Sequence, residues 1–253
     1  ATTSLAALEV QGNQYVSGNL GVGTTSPYAK LSVVGNVVAN SYNATSSTGY
    51  QLNGVTIATG STTLNNYFFG SAVINGGVTA GFRNNIAMGQ FAMQQATSGT
   101  NNFAVGELAM SGTAGSGNFG SFNNALGYRT LQRNTSGHSN NALGYNVLWQ
   151  NTTGSSNNAL GEQALEGNIS GSYNNAFGNQ ALLSNISGSN NNGLGFGALR
   201  NNLIGSNNIA IGQDSLFANA AGSSLNAIGW NSLQNTTGAS STALGSWAGQ
   251  TNT

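Results

Sequence analysis

One glycine returns at a nearly fixed interval through most of the chain, and that interval limits what the chain can fold into. It closes the phrase NNALG and stands at Gly89, Gly106, Gly127, Gly144, Gly161, Gly178, Gly195, Gly212, Gly229 and Gly245, with spacings of 17, 21, 17, 17, 17, 17, 17, 17 and 16. In most copies a second glycine follows ten residues later, at Gly99, Gly137, Gly154, Gly171, Gly188, Gly205 and Gly222, with Gly238 one position early. Such a unit is too short for the helix pairs of tetratricopeptide or ankyrin repeats. Two apolar stretches and two corners in 17 residues make one coil of a solenoid.

Reading the copies as columns gives each position a physical task. The residue before the anchor glycine is large and apolar (Met88, Val105, Leu126, Leu143, Leu160, Phe177, Leu194, Ile211, Ile228, Leu244), and the one before that is Ala except at Gly193. Four residues after the anchor a second large column runs from Met93 and Met110 through Leu131, Leu148 and Leu165 to Leu233, broken at Gly249. Together these columns predict the core. Small and large residues alternate before the glycine as in a strand. The residue three before it shares the face of the large column; it is Asn in six copies, which predicts an inward or interface position where stacked amides bond from coil to coil. Asn134, Asn151, Asn168, Asn185, Asn202 and Asn219 stand three before the second glycine, an Asx-turn spacing that calls for a following residue with positive φ. The stretch after the anchor, as in GNQALLSN, reads as either a second strand or a helical turn, and two strands per coil are the preferred expectation.

The fold class expected is therefore all-β, a parallel β-solenoid (β-roll) of about ten coils, roughly 45 Å long at about 4.8 Å per coil. It would occupy residues 81–253. Residues 1–80 lack the period but carry strand signals such as Leu31 to Val34, a Gly35-Asn36 turn and Val37-Val38, with the only proline, Pro27, in a loop. They read as a β-rich cap or assembly segment covering an edge that would otherwise recruit other chains.

The repeat phrases SNNALG, NNAFGNQAL and NNIAIGQDSL resemble the head repeats of trimeric autotransporter adhesins, which form a parallel β-roll in a homotrimer. Residues 16–39, VSGNLGVGTTSPYAKLSVVGNVVA, are similar to a stretch that precedes such repeats in phage tail-fibre-like and bacterial surface proteins. The resemblance implies an extracellular, cell-surface or virion fibre and a homo-oligomer.

Composition narrows the function classes. Charged residues are 4% of the chain, against about 25% in an ordinary soluble domain, and five basic residues balance five acidic ones. No basic stripe is available for a phosphate backbone, so nucleic acid is not an expected partner. No apolar run approaches the roughly 20 residues of a membrane-spanning helix, so no membrane insertion is expected. Cysteine is absent, and no redox or disulfide chemistry follows. The scarcity of Lys and Glu points outside the cell.

Catalysis by paired carboxylates has little to work with. Glu107 and Glu162 share a column but stand three coils apart, about 14 Å at about 4.8 Å per coil, beyond the about 5–9.5 Å of glycosidase pairs. Glu166 falls at a solvated corner. His138, the only histidine, has no second His or Cys for a metal site. No enzyme activity and no cofactor are expected. Candidate contacts to a neighbouring chain or a surface glycan are the rings beside the anchor glycines, Tyr128, Tyr145, Phe196, Trp230 and Trp247, with Arg129 and Arg133 in the only basic cluster. That cluster adjoins a glycine-rich insertion, Ser111 to Ser121. Sequons begin at Asn43, Asn134, Asn151, Asn168, Asn185 and Asn235, most of them on the corner column, where turn chemistry accounts for them. The expected role is a structural subunit of a fibre, a homotrimer or an end-to-end polymer, with adhesion second; the alternative is a tailspike-like protein that binds or cleaves carbohydrate.

Overall fold

The computed structural model describes residues 65–71, 81–112, 120–236, 238 and 240–250, together with the strand segments 20–22, 31–33, 50–52 and 55–61. The expected Pro27 loop, the Gly35-Asn36 turn, Val37-Val38, Asn43 and the heart of the insertion (113–119) lie outside the described residues. The chain divides into two compact units, Ala1–Ala44 and Thr45–Thr253. In the first, β1 (Leu20–Val22) pairs in parallel with β2 (Leu31–Val33).

The second unit is all-β and contains no helix among its described residues. It begins with β3 (Tyr50–Leu52), β4 (Val55–Ser61) and β5 (Asn66–Phe69), paired antiparallel in sequence. The chain then winds as a parallel β-solenoid. Each coil adds one three-residue strand to the same sheet: β7 (Ile86–Met88), β9 (Phe103–Val105), β10 (Asn124–Leu126), β11 (Asn141–Leu143), β12 (Asn158–Leu160), β13 (Asn175–Phe177), β14 (Asn192–Leu194), β15 (Ile209–Ile211), β16 (Asn226–Ile228) and β17 (Thr242–Leu244). All pair in parallel with equivalent residues opposite, as in Asn141↔Asn158, Ala142↔Ala159 and Leu143↔Leu160. The first corner also pairs, through β6 (Phe82–Arg83) and β8 (Gly99–Thr100).

Each coil carries one strand in the main sheet, not the two expected. From Gly161 the chain makes consecutive turns instead: the Ala164 N–H donates to Gly161 C=O at 3.3 Å, Glu166 to Gln163 at 3.2 Å and Asn168 to Leu165 at 3.1 Å. The third residues of the first two turns, Gln163 and Leu165, have φ of 59° and 52°, the geometry of a type II turn. The equivalent Met and Leu residues of every coil from Met93 to Leu233 share it, with φ between 47° and 55°. A left-handed conformation costs a side chain about 1–2 kcal/mol. Burial of each of these residues, at most 2% exposed, offsets it.

The core is thinner than expected, and one predicted column faces the other way. In most coils the strand Ala meets the residue three after the anchor and the left-handed Leu or Met, as Ala159 meets the layer of Ala164 and Leu165, all at most 4% exposed. The large residue before the anchor points outward. Met88, Leu143, Leu160, Phe177, Leu194, Ile211, Ile228 and Leu244 are all exposed, while Val105 and Leu126 are half-buried. The reason is steric. With the Leu of the turn wall filling the interior, the strand wall has room for a methyl group only, so alternation sends the larger neighbour to the surface.

Asparagine replaces aliphatic packing at both ends of this core. A column four before the anchor (Asn85, Asn102, Asn123, Asn140, Asn157, Asn174, Asn191, Asn208) is buried. The Asn140 backbone N–H donates to Asn123 Oδ1 at 3.0 Å, and Asn140 Nδ2 donates to the same oxygen at 3.1 Å and to Gly154 C=O at 2.9 Å. The ladder starts at Asn66 and ends where Leu225 N–H donates to Asn208 Oδ1 at 3.0 Å. The predicted corner asparagines form a second buried ladder: Asn151 Nδ2 donates to Asn134 Oδ1 and to Gly154 C=O, both at 2.9 Å. The positive φ expected after these asparagines is not at the second glycine. It falls just before the inner ladder, at Ser139, Ser156, Tyr173 and their equivalents, between 55° and 61°.

Candidate functional site

The coil presents two kinds of surface to a partner. The first is the outward face of the strands, built from the residues one and three before each anchor glycine. Its position-three residues Asn124, Asn141, Asn158, Asn175 and Asn192 form a third amide ladder, each Nδ2 donating to the next Oδ1 at 2.7–2.9 Å. Beside it runs the large apolar column from Phe69 to Leu244. Between the two, Asn124, Leu126, Asn158, Leu160 and Phe177 line a shallow groove.

The anchor glycines make this face regular. Their φ lies between 117° and 138°, and a Cβ on Gly161 would sit 2.6 Å from the carbonyl of Gly178 in the next coil. Carbonyl thus rests on Cα from coil to coil, and a side chain at either place would force the coils apart.

Of the ring candidates, Tyr128 and Tyr145 stack with centroids 5.3 Å apart, and Trp230 meets Trp247 edge-on at 4.9 Å. Phe196 is 49% exposed. Tyr128, Tyr145, Phe196 and Trp230, each one residue after its anchor, border the strand face, whereas Trp247, two after Gly245, stands in a turn-face column. The basic pair is drawn apart: Arg129 lies over the Tyr128 ring at 5.0 Å, and Arg133 over the Trp149 ring at 4.6 Å. His138 is exposed. The sequon asparagines Asn134, Asn151, Asn168 and Asn185 are fully buried with their Nδ2 groups engaged in the corner ladder, so the folded coil offers none of them to a glycan.

The second surface is the turn face, made by the residues two, five, six and eight after the anchor. In contrast to the strand face, it changes from coil to coil. It carries Arg129, Arg133, Glu166, Arg200 and Asp214; the sequence brought together only Arg129 and Arg133 of these, because the consecutive turns that align the rest were not foreseen. The inner Asn ladder was missed as well, although its signal, an Asn in eight successive copies four before the anchor, was available. Burial raises the Glu166 carboxyl pKa above its ordinary value, and a hydrogen bond from Gln163 opposes that rise.

No family model matches the chain, and no curated protein or solved structure matches it either.

Proposed function

We propose that this chain is a non-enzymatic structural subunit of an extracellular fibre and that it self-associates through the outward strand face. The observation that carries the reading is the column of large apolar side chains from Phe69 to Leu244, one per coil and in register along the stack, all exposed except the half-buried Val105 and Leu126. A soluble monomer rarely leaves a contiguous apolar stripe of that length open. Each half-covered side chain contributes about 1 kcal/mol on burial. The column together reaches about 10 kcal/mol, the order of the about 4–15 kcal/mol that association costs.

The strand face alone is small for a stable pair. About eleven strands at about 4.8 Å and three residues at about 3.3 Å give a face of roughly 500 Å2, short of the about 800 Å2 per partner of a stable interface. In a trimer each copy meets two neighbours, and the bordering rings of Tyr128, Tyr145 and Trp230 add to the contacts. The near-absence of charge suits a fibre whose faces are covered by its own copies. Sedimentation of the purified chain at micromolar concentration tests this: an oligomer is expected, and the double substitution Leu160→Asp, Phe177→Asp is expected to yield a monomer with unchanged β-type circular dichroism. A monodisperse wild-type monomer would overturn the reading.

A further inference from the structure

All five buried side-chain polar atoms that lack a hydrogen-bond partner among the described residues, Arg129 Nε, Asn146 Oδ1, Glu166 Oε2, Arg200 Nε and Asp214 Oδ1, lie two or five residues after an anchor glycine. Unmet hydrogen-bonding capacity is therefore concentrated on the turn face, whereas the asparagines of the three ladders are bonded along the stack. A groove of about 450 Å3 opens on this same face, lined by Gln150, Gln163, Glu166, Ile169, Ile186 and Leu203. Gly167 forms part of its floor: a Cβ there would sit 2.9 Å from the Leu183 carbonyl of the next coil. One coil before Glu166, in the same column, stands Trp149. Its indole Nε1–H donates to Gln132 Oε1 at 2.8 Å, and the Arg133 guanidinium lies over its ring, so the ring plane is fixed beside the groove.

We propose that this groove, with Trp149 at its margin, binds a neutral oligosaccharide laid along the stack. Four features select that class. The Glu166 carboxylate accepts, the Gln150 and Gln163 amides both donate and accept, and together they complement vicinal hydroxyl groups, while the indole and the Ile169–Ile186–Leu203 wall suit the C–H faces of a pyranose ring. Charge on the face nearly cancels, three arginines against Glu166 and Asp214, so a polyanion gains little. Backbone groups here are already bonded between coils, Gln150 N–H to Glu166 C=O at 3.0 Å and Gly167 N–H to Leu183 C=O at 2.8 Å, which leaves a peptide no edge for strand addition. Successive coils offer their side chains at about 4.8 Å intervals, comparable with the advance per unit of an extended glycan. The site goes beyond the fibre reading and lies on a different face, so a fibre formed through its strands keeps it open.

Calorimetric titration of the full chain with the hexasaccharides of β-linked glucose, α-linked glucose and N-acetylglucosamine tests the proposal. Saturable binding of at least one is expected, with Glu166→Gln and Trp149→Ala each weakening it at least about tenfold, the loss of one charged hydrogen bond or one stacked ring, and Tyr173→Ala, an exposed ring on neither face, leaving it unchanged. Trp149→Phe, which keeps a ring and loses the bond to Gln132, serves if Trp149→Ala does not fold. Absence of binding by all three sugars at millimolar concentration would overturn the proposal. So would binding that survives both the Glu166 and the Trp149 substitutions, or preference for a hexapeptide over every sugar. Sedimentation reads self-association separately, so failure of the groove and failure of the fibre reading are told apart.

Discussion

At Gly161 and Gly245 the backbone asks for the same left-handed φ, 126° and 117°, but the surroundings differ. A Cβ on Gly161 would press on the carbonyl of Gly178, whereas a Cβ on Gly245 meets nothing within 4 Å. Gly245→Ala should therefore cost only conformational strain, about 1–3 kcal/mol. Gly161→Ala adds a clash between coils and should cost more than the upper end of that range in urea unfolding. Equal losses would mean that strain alone fixes the column. Glu166 supplies a test of a different kind. Its folded pKa is raised by burial above the ordinary 4.5, so in the window between the two values the folded state holds more protons than the unfolded one, and ∂ΔG/∂pH is negative. The stability it contributes is present below the ordinary carboxylate value and is lost as pH rises through the raised one. Urea midpoints measured across that window should fall with rising pH in the wild type and flatten in Glu166→Gln.

The single strand of each coil is where reading the sequence succeeded and failed together. Periodicity exposed the repeat, the parallel stacking and the corner asparagines, because a glycine that must have no side chain and an Asn that must reach the next coil leave fixed marks. Hydropathy then misplaced one column: alternation states that Ala159 and Leu160 face opposite ways, yet says nothing of which way is in, and the larger residue was assigned to the core. The turn wall was illegible for another reason. Nothing in a Leu announces φ near 50°, and that conformation, imposed by consecutive turns, puts Leu165 inside and aligns the charged residues outside. A pair of substitutions separates the two columns. Leu165→Ala should destabilise the coil by about 2–5 kcal/mol, while Leu160→Ala should change unfolding of the isolated chain by less than about 1 kcal/mol. The second should instead lower the sedimenting mass. Comparable destabilisation by both would return Leu160 to the interior.

A stack in which each coil bonds mainly to its two neighbours has a stability close to a sum of coil and interface terms. Removing Asn158 to Asn174, one whole period, should leave Asn157 facing Asn191 as it now faces Asn174, and circular dichroism per residue should be preserved. Removing eight residues from the same place should abolish it; equal loss in both would count against modular coils. The uniformity of the strand face carries a further consequence. Two copies meeting along it are like racks with identical teeth: a slip of one tooth, about 4.8 Å, forfeits contact only at one extremity. From Asn124 to Asn192 the outer amide column does not distinguish one tooth from the next, and Phe177 is the one departure in the apolar column beside it. Phase must come from the odd teeth, Tyr67, Ile86 and Phe103 toward one end and Ile209 toward the other, where the outer column abandons Asn. Filing them down, with Tyr67→Asn, Ile86→Asn, Phe103→Asn and Ile209→Asn together with Phe177→Leu, should leave association intact but its phase unset, visible in electron micrographs as ragged ends. Blunt ends in that variant would mean that something other than this face keeps the copies in step.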